Sequence, residues 1–175
     1  MEKYIVLLRG INVGGNCKVE MKKLKKVLED SGYKNVATYI YSGNVILESK
    51  KSLVVLEKEI FAILKKTFGF DIPVLVKTAL VIKKIAKAIP EEWKNDDEYK
   101  TDVAYLFPEI DFVKTIEKLP IKKEYLEIQY QKGAIFWRVS RKDYHKSQLN
   151  KLASNSIYKL MTIRNVNTAR HLANY

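Results

Sequence analysis

The sequence predicts an α+β chain in which one order of elements, βαββαβ, occurs twice. Three observations predict it. Short β-rich apolar runs alternate with segments whose apolar residues recur at helical spacing. Glycine turns, Ser42-Gly43 and Lys132-Gly133, each separate two consecutive strand-like runs. The first pass through the order is complete by Val76, and a second follows from Asp102.

Lys3 to Leu8 is short, apolar and β-rich, which predicts a buried strand. The loop Gly10-Ile11-Asn12-Val13-Gly14-Gly15-Asn16-Cys17-Lys18 follows. Met21, Leu24, Val27 and Leu28 then recur at helical spacing until Ser31-Gly32, with no clean N-cap. Asn35 to Tyr41 and Asn44 to Glu48 read as the second and third strands. Ser52 is placed to cap a helix with Leu53, Leu56, Ile60, Ile63 and Leu64 on its apolar face and Gly69 at its end. Ile72 to Val76 is the fourth strand, and Thr78 is placed to cap a short helix that Pro90 stops.

The stretch Glu91 to Thr101 is acidic and polar, the composition of a linker. Beyond it the order returns. Asp102 to Phe107 reads as a strand, Asp111 to Lys118 as a short helix, and Glu124 to Tyr130 and Ala134 to Val139 as a hairpin. Ser147 to Leu160 has helical spacing, Met161 to Ile163 makes a short strand, and Asn165 or Asn167 caps a terminal helix. This order is the ferredoxin-like pattern, followed in each half by an extra helix. The expected organisation is an N-terminal domain over 1–90, a linker over 91–101 and a C-terminal half over 102–175.

Composition sets the function classes. The chain has 175 residues and a formal charge of +12. Residues 1–90 carry 17 basic and 8 acidic groups, residues 91–131 carry 6 and 11, and residues 132–175 carry 9 and 1. Two basic ends around an acidic middle favour anionic partners. Only Arg9, Arg138, Arg141, Arg164 and Arg170 are arginines, so most of the charge is lysine on helix faces. Cys17 is the only cysteine, which fits a reducing compartment. The opening apolar run is too short for a secretory leader, and no run approaches the roughly 18 apolar residues of a membrane span. The expectation is a cytoplasmic protein, monomeric or weakly associating, with no membrane partner.

Several chemistries fail on their residues. Gly10 and Gly15 have P-loop spacing, but Asn16-Cys17 stand where Lys and Ser or Thr are needed to hold phosphate and Mg²⁺. One Cys and two distant His cannot build a structural zinc site, and neither metal nor cofactor is expected. The third strand lacks the aromatics and basic-Gly-Phe pattern of an RNA-recognition domain.

Topology points to one edge. In a βαββαβ sandwich the end of the first strand lies beside the hairpin joining the second and third. That brings Arg9, Asn12, Gly14, Gly15, Asn16 and Lys18 toward Ser42 and Asn44. Glycine backbone approaches a ligand closely, and successive amides form an anion-binding nest. The structural alternative is that Gly, Asn and Ser serve the turns alone. Cys17 or Ser42 would be the nucleophile if this edge were catalytic, although no base accompanies either in sequence.

Three stretches resemble the DUF1697 family of bacterial proteins. They are Tyr4-Ile5-Val6-Leu7-Leu8-Arg9-Gly10-Ile11-Asn12-Val13-Gly14-Gly15, Tyr39-Ile40-Tyr41-Ser42-Gly43-Asn44-Val45, and Thr162-Ile163-Arg164-Asn165-Val166-Asn167-Thr168. Tyr41 departs from the family, which more usually carries Gln there. The resemblance implies a two-part α+β protein with ferredoxin-like architecture and no established activity. It adds Arg164, Asn165 and Asn167 as ligand-binding candidates, sharing one cleft with the two N-terminal stretches. The alternative is that Asn165, Asn167 and Thr168 cap the last helix while Arg164 pairs with the acidic middle. The functional expectation is a binding protein for an anionic ligand, a phosphorylated metabolite or nucleic acid. An enzyme using the same cleft and a protein-interaction module are the alternatives.

Overall fold

The computed structural model describes residues 1–15 and 17–175, so Asn16 lies outside the described residues. The chain is a mixed α+β protein with two four-stranded antiparallel sheets. It divides into two compact units, Met1–Ala79 with Tyr175, and Leu80–Asn174.

The first unit runs β1 (Glu2–Leu8), α1 (Met21–Asp30), β2 (Lys34–Tyr39), β3 (Asn44–Ser49), α2 (Leu53–Phe68) and β4 (Val74–Thr78). Its strand order is β2-β3-β1-β4. The core forms where Tyr4, Val6 and Leu8, alternate residues of one strand face, meet Leu24 and Leu28 of α1 and Leu56, Ile60 and Leu64 of α2. Gly69 ends α2 in the left-handed region (φ 81°), its amide donating to the Lys65 carbonyl at 2.9 Å. Ser52 occupies the N-cap position of α2 without a side-chain capping bond. Thr78 is the last residue of β4 and directly precedes the next helix, which begins at Ala79. The second strand is shorter than its apolar run predicts. Ile40 turns left-handed (φ 48°), so Ile40 and Tyr41 leave β2 for the turn.

The second unit contains α3 (Ala79–Ala88) from Leu80 onward, β5 (Tyr99–Leu106), β6 (Leu126–Gln131), β7 (Ala134–Ser140), β8 (Met161–Asn165) and α4 (Val166–Leu172). The strand order is β6-β7-β5-β8. The division at Ala79–Leu80 falls ahead of the expected domain boundary at residue 90. Part of the stretch read as a linker is built into this unit. Trp93 is buried edge-on against Phe136, with ring centroids 6.1 Å apart, and Tyr99 already begins β5.

The helix expected over Ser147 to Leu160 is absent. Two 3-10 helices, Leu149–Ser154 and Ser156–Leu160, take its place. The cause is local. Gln148 is left-handed (φ 60°) and Asn155 extended, so no continuous ladder forms. Ser147 and Ser154 donate to the carbonyls of Tyr144 and Lys151, each at 2.7 Å, and Asn155 Oδ1 accepts from the Ile157 amide at 3.0 Å. Such side chains offer the backbone alternatives to a helix. The expected helix over Asp111 to Lys118 is likewise a 3-10 turn, Val113–Lys118. These segments still bury Leu149, Leu152 and Ile157 against Ala104, Ile135, Trp137 and Val139 of the sheet.

Candidate functional site

The loop after β1 and the turn after β2 meet as the topology requires. The Leu8 amide donates to the Gly43 carbonyl at 2.8 Å. Asn12 Nδ2 donates to the Tyr41 carbonyl at 2.8 Å and to the Val19 carbonyl at 3.0 Å, while Asn12 Oδ1 accepts from the Val19 amide at 2.8 Å. Ile11 and Val19 are buried on either side of the exposed loop tip, and the Asn12 amide closes the loop onto the Cys17 carbonyl at 3.1 Å. Gly43 must be glycine: it has φ 77°, and a Cβ there would stand 2.7 Å from both Ile11 Cδ1 and Leu8 Cβ.

The predicted site residues divide between scaffold and surface. Asn12 and Asn44 hold the backbone. Asn44 is fully buried, and its Nδ2 donates to the Tyr39 carbonyl and Ser42 Oγ, both at 3.0 Å. Gly14, Gly15, Cys17 and Lys18 are exposed, and Arg9 and Ser42 are half-buried. Gly14 (φ 60°), Gly15 (φ 79°) and Cys17 (φ 51°) are left-handed, as is Asn12 (φ 55°). The Gly14 and Gly15 amides make no hydrogen bond among the described residues. A cavity of about 490 Å³ lies in the same unit, lined by Glu20, Met21, Lys22, Thr38, Ile40 and Tyr41. Cys17 is a free, exposed thiol, and among the described residues no group of three His, Cys, Asp or Glu side chains is placed to hold a metal.

The remaining candidates lie in the second unit. Arg164 is buried, its Nη1 donating to Thr162 Oγ1 at 2.9 Å and the Ile163 carbonyl at 2.8 Å. Burial pushes its guanidinium down to about 10, against the influence of Tyr105 and Tyr158. Asn165 caps α4, its Oδ1 accepting from the Thr168 amide at 2.9 Å. Asn167 is exposed on the first turn of that helix.

A cavity in the second unit is lined by two of the predicted residues, Arg164 and Asn165, together with residues the sequence did not single out. Its volume is about 400 Å³, and it opens beside the sheet, with Lys100, Asp102, Trp137 and Tyr158 also in its wall. Asp102 is in register with Trp137 on β7 and Asn165 on β8, so the three share a face. Arg164 is in register with Val103, one position along β8 from Asn165, and it too lines the cavity. The available signal was Lys100 and Asp102 two apart in a strand, but Lys100 fell inside the stretch read as a linker.

The two sheets, the loop-and-turn edge and the strand order define an α+β protein with a repeated architecture. The chain belongs to the DUF1697 family of proteins of unknown function, whose pattern matches residues 1–137. No curated protein matches it. A solved structure of a conserved bacterial protein from Streptococcus pneumoniae is similar at a TM-score of 0.84 and 27% identity, covering 99% of this chain and 97% of that one. Among the described residues no helix is long and apolar enough to cross a membrane.

Proposed function

We propose that the chain binds a small anionic ligand, a phosphorylated metabolite, at the loop edge of the first unit. The observation that carries this reading is the exposed Gly14-Gly15 pair, left-handed and with amides that bond to no described residue, beside the exposed Lys18. Successive amides in such a loop present partial positive charge to an anion, and a neighbouring ammonium adds a full one. Asn12 supports the reading by holding the loop's shape rather than by touching the ligand. The same reading takes both units as ferredoxin-like, supported by the strand orders β2-β3-β1-β4 and β6-β7-β5-β8. It takes the protein as cytoplasmic and active as a single chain.

The test is a titration of the isotopically labelled chain at low salt with inorganic phosphate, a nucleoside monophosphate and a short oligonucleotide. Saturable movement of the Gly14, Gly15 and Lys18 amide resonances, weakened by Lys18→Ala, is expected with the phosphate-bearing small molecules. Movement with the oligonucleotide alone would redirect the reading to nucleic acid. No movement with any of the three overturns it.

A further inference from the structure

We infer that the cavity beside the second sheet binds a zwitterionic α-amino acid with an apolar or aromatic side chain. The inference is separate from the loop edge of the first unit, since the residues used here lie within Leu80–Asn174.

The cavity holds one charge pair, and the buried Arg164 also lines it. Lys100 and Asp102 are two residues apart on β5 and so project from the same face. Lys100 Nζ stands 2.8 Å from Asp102 Oδ2. The Lys100 side chain is 32% exposed and that of Asp102 only 9%, so the pair runs from solvent toward the interior. Behind it the walls are Trp137, Leu149, Leu152 and Tyr158. A volume of about 400 Å³ is in the range of small-molecule sites.

The chemistry of that wall selects the ligand. A simple anion that meets Lys100 also meets the carboxylate of Asp102. A simple cation that meets Asp102 also meets Lys100. A neutral apolar molecule fills the walls but gains nothing from the pair. An α-amino acid carries both charges on one carbon, adjacent to each other as the ammonium and carboxylate of the pair are. Its ammonium would face Asp102, its carboxylate Lys100, and its side chain the aromatic and aliphatic walls.

A second observation points the same way. Trp137 Nε1 is buried and has no acceptor among the described residues. Buried donors are normally paired, and an unpaired one on a residue that lines the cavity would gain from an acceptor that the chain itself does not provide. A ligand carboxylate is such an acceptor.

The experiment uses the full chain, labelled with ¹⁵N, and reads the Trp137 indole and the Lys100 and Asp102 amide resonances. The probe is L-phenylalanine, with phenylacetate, phenethylamine and glycine as arms that remove the ammonium, the carboxylate or the side chain. Saturable movement with L-phenylalanine is expected, and each truncated analogue should bind at least about tenfold more weakly, the loss of one charge-assisted bond or of the wall contacts. Asp102→Asn should weaken L-phenylalanine by a similar factor with the spectrum otherwise folded. If that variant does not fold, the analogue series on the unmodified chain decides alone. No saturable movement with L-phenylalanine, or equal binding of phenylacetate or phenethylamine, overturns the inference.

Discussion

Asn12 Nδ2 lies 2.8 Å from the carbonyl oxygen of Tyr41, joining the loop after the first strand to the turn after the second. With its two further bonds to Val19, this one side chain reads as backbone in both directions. The left-handed conformation at Asn12 (φ 55°) is one that asparagine tolerates better than most residues. Asn12→Ala should therefore cost about 2–3 kcal/mol, by loss of two partly buried hydrogen bonds and one exposed one. Urea denaturation measures this directly, and a loss near zero would show that the loop holds its shape without Asn12.

Two glycines with similar backbone angles should respond differently to alanine. Gly43→Ala places a Cβ 2.7 Å from Leu8 Cβ and Ile11 Cδ1, and its strain and overlap together should cost about 3 kcal/mol or more. Gly69→Ala meets nothing within 4 Å and should cost only about 1 kcal/mol, from the left-handed conformation alone. Equal losses in denaturant would contradict the packing of the turn against Ile11.

The last helix separates Asn165 from Asn167. Asn165→Ala removes the cap bond to the Thr168 amide and should destabilise by about 1 kcal/mol. Asn167→Ala alters an exposed side chain and should fall within about 0.5 kcal/mol of the unmodified chain. Thermal unfolding of the two variants side by side checks the assignment.

The pH dependence of stability should carry the mark of one cluster. Glu59 accepts hydrogen bonds from Lys51 Nζ and from Tyr33 Oη. The Lys51 and Tyr33 bonds hold the Glu59 carboxyl below its ordinary value, while burial and then Glu59 push the Tyr33 phenol well above its own. The depressed carboxyl contributes stability that is present above its unfolded pKa and lost as pH falls through the folded one. The raised phenol contributes stability that is present below its unfolded pKa and lost as pH rises through the folded one. Glu59→Gln should flatten the acid side of a stability–pH curve, and Tyr33→Phe the alkaline side. Because Lys51 and Glu59 are each about half exposed, added salt should shrink the Lys51–Glu59 part of the acid effect.

Much of the fold was legible because its signals are local. Apolar residues two apart in Tyr4-Ile5-Val6-Leu7-Leu8 and three or four apart in Leu56-Ile60-Leu64 follow from side-chain geometry, and they end in the core of the first unit. The meeting of the Arg9–Lys18 loop with the Ser42-Gly43 turn was legible too, because once β3 lies between β1 and β2 no other neighbour is available. The helical spacing over 147–160 misled, because apolar period reports which residues are buried and not which hydrogen-bond ladder they adopt. Ser147, Ser154 and Asn155 were free to bond locally, and they did.

The sequence by itself therefore determined the repeated order of strands, the buried faces and the edge where two turns meet. Only the tertiary structure decided what the polar residues do there. Asn12 and Asn44 have the composition of ligand-binding residues, yet their amides are engaged by Val19, Tyr41, Tyr39 and Ser42. Lys100, Asp102 and Trp137 lie in segments 35 residues apart or adjacent, and no spacing unites them. They share a wall because β5 pairs with β7 in a register that sets Asp102 opposite Trp137, and register is a property of paired strands rather than of either strand alone.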